Sequence, residues 1–189
     1  MSSHHIVREK QEPALLVLGL DNFPDELLGQ LLEWSPTVIA TADTVDDLTS
    51  REIKIDWIIA EHPAEVSQSD VKLMTAADGS LTNAALKFLS ENGYPSVNII
   101  TDELTVDDYK PFVNLINLVI FYDHQKIYPV SSGFSKWEPA GEVIKLLNKG
   151  NNLISEGLEH INSYQYKTTK DGFFSLQFDD RFLFLAEDI

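Results

Sequence analysis

Residues 14–34, ALLVLGLDNFPDELLGQLLEW, decide the architecture. The first seven are aliphatic apart from Gly19, a run short enough for a strand, and Leu27, Leu28, Leu31, Leu32 and Trp34 then recur at helical spacing. A strand followed at once by a helix is the opening of a βαβ unit, so the same pattern is expected further along the chain. Three more apolar runs supply it: TVIATA (37–42), DWIIAEHP (56–63) and SVNIITDE (96–103). Continuous apolar runs are the mark of parallel strands covered on both faces. Each ends in a polar tip, and in open α/β sheets ligands sit beyond the carboxyl ends of the strands. Residues 20–22, 42–43, 60–63 and 101–103 are therefore expected around one pocket.

The connecting segments agree with that reading. In TVDDLTSREI, Asp43 or Thr44 is placed to cap a short helix, and residues 61–80 read as a polar loop rich in Ser and Glu. Residues 81–92 read as a helix with Ala85, Leu86 and Leu89 inward and Gly93 just past its end. A further helix is expected through Asn114, with a strand over 115–122.

The texture changes after Asp123. Short β-type runs follow, KIYPV, EVIKLL, YQYKTT, FFSLQF and RFLFLAE, divided by Gly, Asn and Asp turns. Asp171-Gly172 is a hairpin signal, with Phe174, Leu176 and Phe178 on one face and Phe182, Phe184 and Ala186 on the return strand. The fold class expected is α/β: a mostly parallel α/β domain over residues 1–125, then a smaller antiparallel β domain over 126–189.

Composition narrows the partners. With 43% hydrophobic and 23% charged residues over 189 positions, the chain has enough apolar content for a packed core. The absence of cysteine excludes disulfides and thiolate metal sites and suits a cytoplasmic protein. No run reaches the ~20 apolar residues of a membrane span. A net charge of -16 repels the phosphate backbone of DNA or RNA and anionic lipid alike, so neither nucleic acid nor membrane is an expected partner.

Carboxylates at strand tips are the candidate chemistry. Asp43, Glu61 and Asp78 could hold a divalent cation, though acids there are also ordinary solvated loop residues or helix caps. His62, beside Pro63, reads as a loop histidine. His4 and His5, being adjacent, point to opposite faces of any strand and cannot share one metal. Gly79 and Gly133 belong to no phosphate-loop pattern. Trp137 is either a ring for a ligand to stack on or an apolar plug.

HHIVREKQEPALLVL, ELLGQLLEWSPTVIA, IKIDWII, LKFLSENGYPSVNII and DHQKIYPVSSGFSKWEPAG together resemble the bacterial branch of the thiamine pyrophosphokinase family over nearly the whole chain. The resemblance implies an α/β domain for ATP, a β-sandwich domain completing a thiamine site, and a homodimer. It also implies Mg²⁺-dependent transfer of pyrophosphate from ATP to thiamine, which needs several carboxylates around the metal. The motifs that carry that chemistry depart from the family's pattern. Where the family has a DG pair after the second strand, this chain has Ala42-Asp43. Its GDxD is replaced by residues 60–63, AEHP, in which only Glu61 is acidic. Its DKTD stands against Asp78-Gly79-Ser80-Leu81, and its GRxDH against residues 101–109, TDELTVDDY, with Asp107 or Asp108 at the acidic position. The family's Ser-Asn pair near the carboxyl terminus has no equivalent.

Losing one metal ligand or the group that orients it commonly costs ~10 to 100-fold, and about four positions differ. The chain is accordingly expected to be a catalytically degenerate relative that keeps the fold, the dimer and a site for a nucleotide or thiamine-like ligand. The catalytic candidates are Asp43, Glu61, Asp78 and Asp108, with Trp137 for ligand contact; Mg²⁺ and ATP are cofactors only if activity is retained. An active kinase with re-sited carboxylates and a protein-assembly module without a small-molecule site are the alternatives.

Overall fold

The opening run forms β1 (Ala14–Val17), and all four of its residues are fully buried. Burial on both faces is what a continuous aliphatic run requires, and parallel neighbours on each side supply it. The computed structural model describes residues 10, 12–21, 23–61, 71–76 and 80–189, and the chain divides into two units, 1–123 and 124–189.

In the first unit β1 is joined by β2 (Val38–Thr41), β3 (Trp57–Ala60), β4 (Lys72–Thr75), β5 (Ser96–Ile100) and β6 (Asn117–Tyr122). They lie in the order β6-β5-β1-β2-β3-β4, every pairing parallel. The order reverses between β1 and β5, and such a switch point is where an open sheet leaves a crevice. Helix α1 (Asp25–Leu32) places Asp25 and Glu26 in its first turn, where acids meet the positive end of the helix dipole. Leu28 is its buried anchor, in a cluster with Leu15, Val17, Val38, Ala40 and Leu48. Trp34 falls beyond the helix end and is 66% exposed, so the apolar stripe stops at Leu32.

Helix α2 (Val45–Ser50) follows a 3-10 turn over Ala42–Thr44. Neither Asp43 nor Thr44 caps it by side chain, contrary to expectation: Thr44 Oγ1 instead donates toward the carbonyls of Thr41 and Val17. Helix α3 (Leu81–Glu91) is capped by Ser80, which accepts from the Asn83 N–H at 3.2 Å. It ends as the sequence implies. Gly93 takes φ +73°, its N–H reaches Ser90 O, and Tyr94 N–H reaches Leu89 O, the paired bonds of a Schellman motif.

Two segments differ from expectation. β4 falls within the stretch expected to be loop: KLMT lies at the sheet edge with three of four residues exposed and so carries no apolar run. The helix expected through Asn114 shrinks to α4 (Val106–Tyr109) and a 3-10 turn over Lys110–Phe112, since Pro111 removes an amide donor.

The second unit comprises β7 (Gln125–Val130), β8 (Phe134–Glu138), β9 (Val143–Leu146), β10 (Ile154–Glu156), β11 (Leu158–His160), β12 (Gln165–Thr168), β13 (Gly172–Gln177) and β14 (Leu183–Asp188). All pairings are antiparallel, in one sheet ordered β11-β12-β9-β14-β7 and another ordered β10-β13-β8. Phe174 and Leu176 from the small sheet pack with Ile144, Leu146, Leu183 and Leu185 from the larger. The Asp171-Gly172 turn closes no hairpin: β12 and β13 belong to different sheets, and β14 pairs with β7 and β9 instead of β13. Alternation within FFSLQF and LFLAED was legible, but partner choice follows from burying both inner faces against each other.

Between the sheets stands an ionic cluster. Lys136 Nζ donates to Glu187 at 2.6 and 2.7 Å and bridges Glu138 at 2.6 Å, and Tyr128 Oη donates to Glu187 at 3.3 Å. Partial burial alone lowers the Lys136 pKa, but hydrogen bonds to Glu138 and Glu187 outweigh it and hold the ammonium above the ordinary lysine range.

Candidate functional site

The crevice opens where the sheet order reverses, with a volume of about 450 Å³. Three strand tips and residues from three helices build it. Beyond β1, Leu18 N–H donates to Ile100 O at 2.8 Å, which ties the β1 and β5 ends together. A Cβ on Gly19 would lie 2.1 Å from Asp102 Oδ2, so only glycine admits that carboxylate. Asp21 N–H donates to both Asp102 oxygens, at 3.1 and 3.2 Å.

Beyond β2, Asp43 in the 3-10 turn and Asp47 in α2 lie four residues apart, and both line the cavity. Beyond β5, Thr101 Oγ1 donates to Glu103 O at 2.7 Å, closing a tight turn that carries Asp102 and Glu103. Helix α4 adds Asp108 and Tyr109, and the start of α3 adds Leu81 and Thr82. Burial, then the neighbouring Asp108 charge, pushes the Tyr109 phenol up to about 12, against a weaker opposing hydrogen bond with Thr101. Tyr109 is therefore a neutral hydroxyl at neutral pH.

Among the described residues six carboxylates line the cavity: Asp21, Asp43, Asp47, Asp102, Glu103 and Asp108. No Lys or Arg does so among the described residues; Lys110 pairs with Asp107 at 2.5 Å. The lining is thus strongly negative and presents acceptors, hydroxyls and few donors.

Of the residues singled out from sequence, Asp43 and Asp108 come together here, with Leu81 beside them. Glu61 is exposed one residue past β3 and is not part of the lining. Asp78, His62, His4, His5 and Gly79 lie outside the described residues. Trp137 is in the other unit, on the outer face of the small sheet, 52% exposed and in register with Phe173. Asp47 was missed although its spacing from Asp43 signals one helical face. Tyr109 carried no signal, because its burial depends on how the short α4 packs.

A nucleotide with Mg²⁺ fits this lining poorly. Among the described residues no three carboxylates or imidazoles converge to hold a metal ion, and no cation stands ready for a phosphate.

No family model matches the chain, and no curated protein sequence does. Solved structures do. The thiamin pyrophosphokinase from Geobacillus thermodenitrificans superimposes with a TM-score of 0.69 at 9% identity, covering 93% of this chain and 96% of that one. The yeast thiamin pyrophosphokinase gives 0.68 at 10% identity over 97% and 88%. The thiamine pyrophosphokinase from Bacillus subtilis gives 0.66 at 14% identity over 94% and 99%. Across both units and nearly its full length, the chain has the thiamine pyrophosphokinase fold.

Proposed function

We propose that this is a catalytically degenerate protein of the thiamine pyrophosphokinase fold, one that binds a small cationic, thiamine-like ligand without efficient pyrophosphoryl transfer. The observation that carries the reading is the charge of the crevice: among the described residues, six carboxylates without a lining Lys or Arg. A triphosphate entering it meets like charge, and a thiazolium or ammonium meets opposite charge in a partly desolvated hollow, where such attraction is stronger than in water. Asp43 and Asp108 are the acids proposed to face that ligand. Glu61 and Asp78 remain proposed contributors to a metal site only if activity is retained, and Trp137 remains proposed as a contact residue.

Homodimerisation in the cytoplasm belongs to the same proposal. Trp137, Phe173 and Ile154, 52%, 71% and 61% exposed, make an apolar outer face on the small sheet that supports a protein contact. Among the described residues no helix is long and apolar enough to cross a membrane.

The test is to mix ATP, thiamine and Mg²⁺ with the protein and measure AMP, alongside melting curves with each compound alone. Thiamine at ~100 times its Kd is expected to stabilise the fold by about 2.7 kcal/mol, with no shift from ATP. Sustained AMP release would overturn the degenerate reading, and a shift with ATP alone would overturn the cationic one.

A further inference from the structure

We infer that Asp102 is an internal plug, a carboxylate occupying the place at the β1 tip where a bound phosphate would otherwise accept a backbone hydrogen bond. The inference rests on the crevice being the ligand site and adds how that site refuses anions.

Two observations and one general rule converge. Both Asp102 oxygens accept from the Asp21 N–H, on the loop leaving β1. The first strand-to-helix turn of an open parallel sheet is where backbone amides approach a ligand's phosphates. The space the carboxylate fills exists only because residue 19 is glycine, since a Cβ there would lie 2.1 Å from Asp102 Oδ2 and 2.6 Å from its Cγ. A glycine that lets a phosphate come close to the backbone has here been taken up by the chain's own anion. Asp102 therefore excludes an anion twice, by using the donor and by placing a negative charge where the incoming one would sit.

The contact also ties the β1 and β5 tips, so a purely structural role must be separable. Removing a tether weakens binding, whereas removing a plug creates it. Inorganic pyrophosphate with Mg²⁺ is the probe, titrated calorimetrically into the full chain and its Asp102→Ala variant, with Asp102→Ser as a second variant should the first not fold. Wild type is expected to show no saturable binding up to the highest pyrophosphate concentration used, and the Ala variant saturable binding with a Kd at least tenfold below that concentration. Asp102→Asn, which keeps the shape and an acceptor for Asp21 N–H but removes the charge, is expected to gain several-fold less than Ala. A folded Ala or Ser variant with no gain, tight binding by wild type, or an Asn gain equal to that of Ala would each overturn the inference. None of these outcomes depends on AMP release or on thiamine, so the plug and the degenerate reading fail separately.

Discussion

The two units treat carboxylates in opposite ways. In the second, Glu138 and Glu187 are mostly buried and each closes on Lys136 within 2.6 Å. In the first, among the described residues, six carboxylates share one crevice and no lysine or arginine of its lining compensates them. Compensated acids lower the energy of the fold. Uncompensated ones raise it through mutual repulsion, and they persist where a site needs them. The contrast separates charge that serves the scaffold from charge that a ligand could use.

The largest expected effect falls on the compensated side. Lys136→Met leaves Glu138 and Glu187 facing each other without a cation, and stranding buried acids costs about 2 to 3 kcal/mol once the lysine's one-third exposure is discounted. Urea denaturation should show the lowered midpoint, and Lys136→Met with Glu187→Gln should recover part of it. A loss under 0.5 kcal/mol would mean the cluster is solvated and the contrast void.

Tyr109 brings the same comparison to the crevice. Its folded phenol keeps a proton between pH 10.0 and about 12, where the unfolded one has lost it. The contribution is therefore complete below pH 10 and is lost as pH rises toward about 12, amounting to about 2 kcal/mol. Tyr109→Phe should lack that part of the alkaline decline, read from denaturation at stepped pH against wild type. The Lys136 cluster gives both proteins a common decline, since its raised pKa likewise favours the fold until the lysine deprotonates.

Gly19→Ala probes the packing under Asp102. The new Cβ would lie 2.1 Å from the carboxylate and 2.9 Å from the Asp102 backbone nitrogen, so the side chain must move and the backbone must yield slightly. Destabilisation of about 1 to 2 kcal/mol is expected. Adding Asp102→Ala should restore most of it, leaving the backbone part, and an unrestored double variant would place the strain elsewhere.

Legibility followed the energetics of each element. Strands β1, β2, β3 and β5 were readable because burial on both faces demands mostly apolar runs, as Ala14–Val17 shows most fully. β4 was not, since an exposed edge strand makes no such demand. In the second unit, strand positions were readable from alternation, but the pairing of β13 with β8 and β10 was not, because it is decided by long-range burial. The site divides similarly. Asp43 and Asp108 sit next to motifs with a recognisable place, whereas Asp102 acquires meaning only from the missing Cβ of Gly19, a contact between tips 83 residues apart.

The smallest effect is also the most direct test of the contrast. Asp43, in the 3-10 turn, and Asp47, in the first turn of α2, are four residues apart at the crevice; like charges at helical spacing repel by about 0.2 to 0.5 kcal/mol, and the positive end of the α2 dipole offsets that repulsion by a similar amount. Asp47→Asn should therefore change stability by less than about 0.5 kcal/mol, whereas Glu187→Gln, which removes one partner of Lys136, should destabilise the protein by more than that. Raising the salt should bring the Asp47 variant level with wild type, because exposed charges are screened within ~10 Å at 0.1 M, and should leave most of the Glu187 loss. Unequal costs for two losses of a single negative charge are what a compensated scaffold and an uncompensated site require. If Asp47→Asn destabilises as much as Glu187→Gln, that acid has a protein partner and the crevice is less available to a cation than its lining indicates.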